Sequence, residues 1–78
     1  MRYVADYSAD SNLSLQPGVQ MPPDIWIQLG SGNQTINFAV HNIEADDEGE
    51  AEDIGLVLLR SLFGENVDFY SYGANEEE

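Results

Sequence analysis

Carboxylates are the residues of this chain best suited to chemistry, and the run 44–53 holds seven of them in ten positions. They are Glu44, Asp46, Asp47, Glu48, Glu50, Glu52 and Asp53. Side chains four apart on a helix lie roughly 5–6 Å from each other. If the helix begins early, Glu44, Glu48 and Glu52 form one such row, and Asp46, Glu50 and Asp53 form a neighbouring one. Two such rows approach the charge density of duplex DNA, about one charge per 1.7 Å of axis. We therefore expect them to bind a basic protein surface of the kind that holds phosphates.

Catalytic chemistry finds little support in the composition. The chain has no cysteine and no lysine, which excludes a thiol nucleophile and a Schiff-base lysine. Its single histidine, His41, has no neighbouring spacing that indicates a catalytic triad. We expect a protein that is not an enzyme and that uses no cofactor.

The same acidic run partly resembles a calcium-binding loop. Asp46, Glu48, Glu50 and Glu52 alternate like the first ligands of an EF-hand loop. However, Ala51 stands where that loop needs glycine, and Val57 where it needs the bidentate glutamate. The sequence therefore predicts no dedicated metal site.

The net charge indicates the class of partner. Fifteen acidic residues against two basic ones give a formal charge of −13. Such a charge repels nucleic acid and anionic membranes and attracts basic proteins. Because no stretch looks like a signal peptide or a membrane span, we expect a cytoplasmic protein. Solubility or adaptation to high salt is the alternative explanation of the charge.

A single long helix, over about 47–63, must position the acidic run. Asp46 or Asp47 is the N-cap residue, and Asp47 with Glu50 three residues later resembles a capping box. Gly64 is a stop signal. The spacing predicts an apolar face of Ala51, Ile54, Leu58 and Leu62, widened by Val57, Leu59 and Phe63.

Residues 24–41 predict a central β-hairpin, because two runs of alternating apolar residues flank the glycine-rich segment 30–33. With Leu29 opposite Gln34, Ile27 would pair with Ile36 and Ile25 with Phe38. The opposite face would then carry Trp26, Gln28, Thr35, Asn37, Ala39 and His41. Trp26 is either an exposed contact residue or is covered by the loop 10–23 or by the N-terminal strand.

Two further strands complete the prediction. The segment 2–8 is aromatic and β-branched enough for an edge strand, and the segment 67–72 for a last strand. The loop 10–23 has Leu13, Leu15, Val19 and Met21 available to contact the core. We expect an α+β fold in β-β-β-α-β order, with a mainly antiparallel sheet and one helix on one face. Residues 1–73 would form a single small domain, and 74–78 an acidic disordered tail.

Three function classes follow. The first is an acidic binding protein that occupies a basic, nucleic-acid-binding type of surface, with Trp26, Tyr70 and Tyr72 as apolar anchors. In size, charge and lack of lysine the chain is similar to small DNA-mimic inhibitors made by phages and mobile elements. The second is an adaptor that assembles through the Trp26 face or an edge strand, with a homo-oligomer as one form. The third is an enzyme, which would need a deep pocket holding His41 and a buried carboxylate.

Overall fold

The computed structural model describes residues 1–30, 32 and 34–77. Its elements are β1 (Arg2–Asp10), β2 (Ile25–Leu29), β3 (Thr35–Glu44), α1 (Glu48–Phe63) and β4 (Tyr70–Glu76). The four strands form one antiparallel sheet in the order β2-β3-β1-β4. The predicted α+β class and the β-β-β-α-β order are confirmed.

Strand β1 is an inner strand, so its prediction as an edge strand is wrong. It pairs with β3 on one side and with β4 on the other. Tyr3, Ala5, Tyr7 and Ala9 are all buried in the core. The small alanines between the tyrosines let neighbouring elements approach closely, which suits an inner position and could not be recognised from β propensity alone.

The hairpin of β2 and β3 forms as predicted, but its register differs by two residues. Ile25 pairs with Val40, Ile27 with Phe38 and Leu29 with Ile36. The amide of Gly30 donates to the Thr35 carbonyl (2.8 Å), which closes a longer loop than the predicted one. Because the side-chain period of a strand is two, this shift keeps every residue on its predicted face.

Helix α1 begins where the capping signal predicted. The Asp47 side chain accepts a hydrogen bond from the Glu50 amide (2.8 Å), and the Glu50 side chain accepts one from the Asp46 amide (3.3 Å). This reciprocal arrangement satisfies two amide groups near the helix start. Gly64 ends the helix with φ = 120°.

The face that α1 buries is rotated from the predicted one. Its buried residues are Ala51, Gly55, Leu59, Leu62 and Phe63, whereas Ile54 and Val57 are exposed. Gly55 lies directly against the ring of Tyr7, whose hydroxyl donates to the Glu52 carbonyl. Burial and, after it, the carboxylate of Glu52 raise the pKa of Tyr7 to about 12. Because Tyr7 lies so close to Gly55, the helix turns the side that holds Ala51 and Gly55 towards the sheet.

The long loop between β1 and β2 covers the end of α1. The Gln16 amide donates to the Leu62 carbonyl, and its side-chain Nε2 donates to the Phe63 carbonyl, both at 2.9 Å. These bonds satisfy two carbonyls that have no partner within the helix. The predicted apolar contacts are confirmed: Leu13, Leu15, Val19 and Met21 pack against the core.

The predicted disordered tail over 74–78 is wrong for residues 74–77. Strand β4 begins later than predicted and continues to Glu76, and the Glu77 amide donates to the Arg2 carbonyl (2.7 Å). The reason is the second edge of β1, whose backbone groups need a partner strand. Glu78 lies outside the described residues.

Candidate partner-binding surfaces

The acidic run 44–53 occupies three elements and does not lie along one helix. Glu44 is the last residue of β3, Asp46 and Asp47 lie in the connection, and the others are in α1. Six of the seven carboxylate residues are exposed, and Glu52 is half-buried. The predicted row of Glu44, Glu48 and Glu52 is therefore wrong, because the helix begins only at Glu48.

Four of the seven carboxylates already have partners among the described residues. Glu44 Oε2 lies 3.7 Å from the N-terminal amine of Met1. Asp47 and Glu50 accept the capping hydrogen bonds, and Glu52 accepts one from the Ser71 hydroxyl on β4 (3.1 Å). Glu52 lies towards β4, whereas Glu48 and Asp53 are exposed to solvent. The run therefore faces more than one direction, and Asp46, Glu48 and Asp53 are the members whose carboxylates have no such partner among the described residues.

Strand ends add carboxylates to this end of the molecule. Glu44 pairs with Arg2 across β3 and β1, and Glu76 pairs with Tyr3 across β4 and β1. Burial and, after it, the carboxylates of Glu76, Glu48, Asp47 and Asp46 raise the pKa of Tyr3 above its usual value. We define the acidic pole as Glu44, Asp46, Asp47, Glu48, Glu50, Glu52, Glu76 and Glu77. Of the two arginines, Arg2 lies on β1 at this end of the molecule, and Arg60 lies in the last turn of α1, away from the pole.

Glu77 fixes the edge of this pole to the sheet. Its carboxylate lies 2.5 Å from Nδ1 of His41 and accepts a hydrogen bond from the Asn42 amide (2.9 Å). Asn42 has φ = 61°, at an irregularity in the pairing of β1 with β3. The hydrogen bond from His41 and then that from Asn42 hold the pKa of Glu77 below its ordinary value.

The sheet face opposite α1 carries exposed aromatic side chains at both edges. Trp26 on β2 is 64% exposed, and Tyr70 and Tyr72 on β4 are 67% and 64% exposed. The interpretation that the loop or the N-terminal strand covers Trp26 is therefore wrong. Its neighbour is His41, with ring centroids 4.1 Å apart. The loop packs on the other face, beside the helix, because its leucines join that core.

The tyrosines share this open face because β4 is irregular. Gly73 (φ = 103°) lies where the pairing of β1 with β4 shifts by one residue. The rings of Tyr70 and Tyr72 contact each other at a tilt of 53°, with centroids 5.1 Å apart, and the Ser8 hydroxyl donates to the Tyr72 hydroxyl (3.1 Å). A bulge of this kind re-aims a side chain at a sheet edge.

Small and polar residues form the floor between the aromatic edges. An open cavity of about 680 Å³ lies there, lined by Asp6, Trp26, Gln28, Asn37, Ala39 and Tyr72 among others. Sequence reasoning found Trp26 and the tyrosines but missed Asp6, Glu76 and Glu77. Successive residues of a strand point to opposite faces of the sheet. The position of Asp6 next to Tyr7 was therefore the one signal that could have placed Asp6 on this face.

Protein-family models, curated proteins and solved structures give no match to this chain. The function must therefore be inferred from these two surfaces. Within the described residues, no helix has the length and apolar character needed to cross a bilayer. His41 does not line the cavity, and its Nε2 is buried with no hydrogen-bond partner among the described residues.

Proposed function

We propose that this chain is a non-enzymatic acidic binding protein that occupies a basic, nucleic-acid-binding type of surface on a partner protein. The observation that carries the proposal is the acidic pole, where the start of α1 and the ends of β3 and β4 bring carboxylates to the same end of the molecule. The whole chain has a formal net charge of −13. In its sharpest form the protein is a DNA-mimic inhibitor of the phage type, acting in the cytoplasm.

The rigidity of the acidic pole supports this proposal. Its carboxylates sit on a capped helix and on hydrogen-bonded strand ends, so little side-chain and loop ordering is needed when a partner binds. Exposed charges of one sign mainly raise the rate of association and select the partner. The aromatic residues of the open face would supply the apolar contacts that strengthen the complex.

The test uses purified proteins that have basic DNA- or RNA-binding surfaces. We expect at least one to bind this chain, to be displaced by duplex DNA, and to lose affinity on the order of tenfold or more between ~50 and ~200 mM salt. Glu44→Gln, Glu48→Gln and Glu76→Gln together should weaken binding without removing the helix cap. Binding that ignores both salt and these substitutions would contradict the proposal.

A matched control lies at the other end of the molecule. Asp10, Glu65 and Asp68 are exposed, and Asp10 and Asp68 line one shallow cavity beyond the end of α1. Neutralising these three removes the same charge as neutralising three residues of the acidic pole. We expect a much smaller loss of affinity, because the control residues lie away from the pole. Equal losses would show that only net charge matters.

The second candidate is an adaptor that assembles through the open face or through the edge of β2. It is favoured by one observation, which is that β2 exposes Trp26, Ile27 and Leu29 together (64%, 49% and 60%). Unpaired apolar edges tend to pair with another strand. Light scattering that shows a discrete oligomer, lost on Trp26→Ala but kept when the acidic pole is neutralised, would favour this function over the first.

A further inference from the structure

The open face has a gap in its middle, bounded by aromatic side chains. The pairing of the strands places Trp26, Ala39, Asp6 and Gly73 in one row across all four strands. Ala39 has a short side chain and Gly73 has none. Asp6 therefore has no large side chain directly beside it in this row. Trp26 closes one side of the gap and Tyr72 the other.

The carboxylate in this gap, that of Asp6, has no partner in the part of the chain that the structure describes. Asp6 is half-buried, and among the described residues its side chain takes part in no hydrogen bond and no ion pair. The hydroxyl of its neighbour Ser8 is directed to Tyr72 instead. A half-buried carboxylate beside exposed aromatic faces favours a cationic ligand, because both the charge and the ring quadrupoles attract a cation.

The size of the gap indicates an extended peptide. Trp26 and Tyr72 lie on strands three spacings apart, which is roughly 14 Å between backbones. The cavity volume of about 680 Å³ exceeds one side chain and lies within the range of sites that hold small ligands. A second copy of this chain is the poorer occupant, because two molecules of charge −13 repel each other.

We propose that this gap binds an arginine side chain on an extended basic segment of the partner, with the guanidinium on Asp6 and its plane against Trp26 or Tyr72. It deepens the proposed function and rests on it, since it names the group that the basic partner inserts. Arginine suits the gap better than lysine, because its planar guanidinium binds carboxylates with two hydrogen bonds and stacks on aromatic rings.

The experiment is a titration with a capped Gly-Arg-Gly peptide, followed through the indole N–H resonance of Trp26. That signal is unique, because the chain has one tryptophan. We expect a saturable shift whose dissociation constant rises about tenfold in Asp6→Asn, as for loss of a hydrogen bond to a charged group. Asp10→Asn is the matched control, four residues along the same strand and exposed, and should leave the constant unchanged.

A second variant tests the shape of the gap without changing charge. Ala39→Ile should fill the floor between Trp26 and Asp6 and weaken the peptide by at least several-fold, with folding checked by circular dichroism. The absence of a saturable shift, or equal binding by Asp6→Asn and Asp10→Asn, would overturn the proposal. A capped Gly-Lys-Gly peptide that binds as tightly as the arginine peptide would overturn the choice of arginine.

The outcomes separate this proposal from the proposed function. If Asp6→Asn changes nothing while neutralising the acidic pole abolishes binding to a basic protein, the arginine site fails and the proposed function stands. If the arginine peptide binds as expected but no basic protein binds with salt-dependent affinity, the proposed function fails. The gap would then be a receptor for an isolated arginine-containing segment.

Discussion

The two faces of the sheet use aromatic residues in opposite ways. On the face under α1, Tyr7 and Phe38 are 1% and 2% exposed, and Phe38 packs edge-on against Phe63 and Phe69. On the open face, Trp26, Tyr70 and Tyr72 are all more than 60% exposed. The inner strands β1 and β3 supply Tyr7 and Phe38, whereas the edge strands β2 and β4 supply the exposed aromatic residues. One helix can cover only one face, so the covered face stabilises the fold and the open face is left for contacts.

Phe38→Ala is the sharpest test of the covered face. Phe38 is almost fully buried, and its loss should lower the free energy of unfolding by about 3–5 kcal/mol. For a domain of this size such a loss approaches the whole stability. Denaturant unfolding measures it. A loss below about 1 kcal/mol would mean that the covered face is not the core.

Gly55→Ala tests how closely the helix approaches that face. A Cβ at Gly55 would overlap the Tyr7 hydroxyl, and Tyr7 is too deeply buried to move aside. We expect a loss of about 1–3 kcal/mol, which exceeds the gain of up to about 1 kcal/mol from helix propensity. Gly49→Ala is the matched control, because a Cβ there makes only an ordinary contact of 3.5 Å, and it should stabilise slightly. Thermal unfolding of both variants measures the difference. A gain of stability in Gly55→Ala would contradict the close packing of the helix against Tyr7.

Asp47→Ala tests whether the covering helix depends on its first carboxylates. The variant leaves the Glu50 amide without its side-chain acceptor, which should cost about 1 kcal/mol. Asp53→Ala removes an equal charge from the helix, and the Asp53 side chain makes no hydrogen bond with the described residues. This variant should therefore lose less stability. Chemical denaturation of the pair decides the point. Equal costs would assign the effect to charge and not to capping.

Glu77→Gln tests whether the bonds of Glu77 to His41 and to the Asn42 amide stabilise the fold. The test is the pH dependence of the free energy of unfolding. The pKa of Glu77 is lower in the folded state than its ordinary value of 4.5, so its ionised form stabilises the fold. The advantage of the wild type should be complete above that ordinary value and should disappear as the pH falls through the lowered pKa. Unfolding curves between about pH 7 and pH 3, with exposed Glu65→Gln as the control, measure it. An advantage that is constant with pH would contradict the role of this carboxylate.

Trp26→Ala should have the smallest effect on stability, within about 1 kcal/mol, because the side chain is 64% exposed and its aromatic neighbour is His41. The same variant should weaken binding to a basic partner, since exposed tryptophans often carry interface affinity. This split between stability and binding is the opposite of that expected for Phe38→Ala. A large loss of stability would show that the open face belongs to the core after all.

Local signals predicted the elements of this fold well. The capping box at Asp47 and Glu50 fixed the helix start, and the alternation in 24–41 fixed the hairpin and its faces. Non-local contacts were harder to predict. The rotation of α1 towards Gly55 depends on Tyr7, which is distant in sequence, and the hairpin register depends on how the loop after Gly30 closes. The prediction of a disordered tail was also wrong for residues 74–77. The sequence of the tail does not show that β1 needs a second partner strand.

The sequence by itself determined the charge, the helix with its cap, and the existence of two sheet faces, since these depend on composition and on short-range periodicity. Only the tertiary structure decided which carboxylates meet at the acidic pole and that Asp6 stands in a gap between Trp26 and Tyr72. Those neighbours come from different strands, so their meeting depends on strand order and register. Neither of these can be read from residues that are adjacent along the chain.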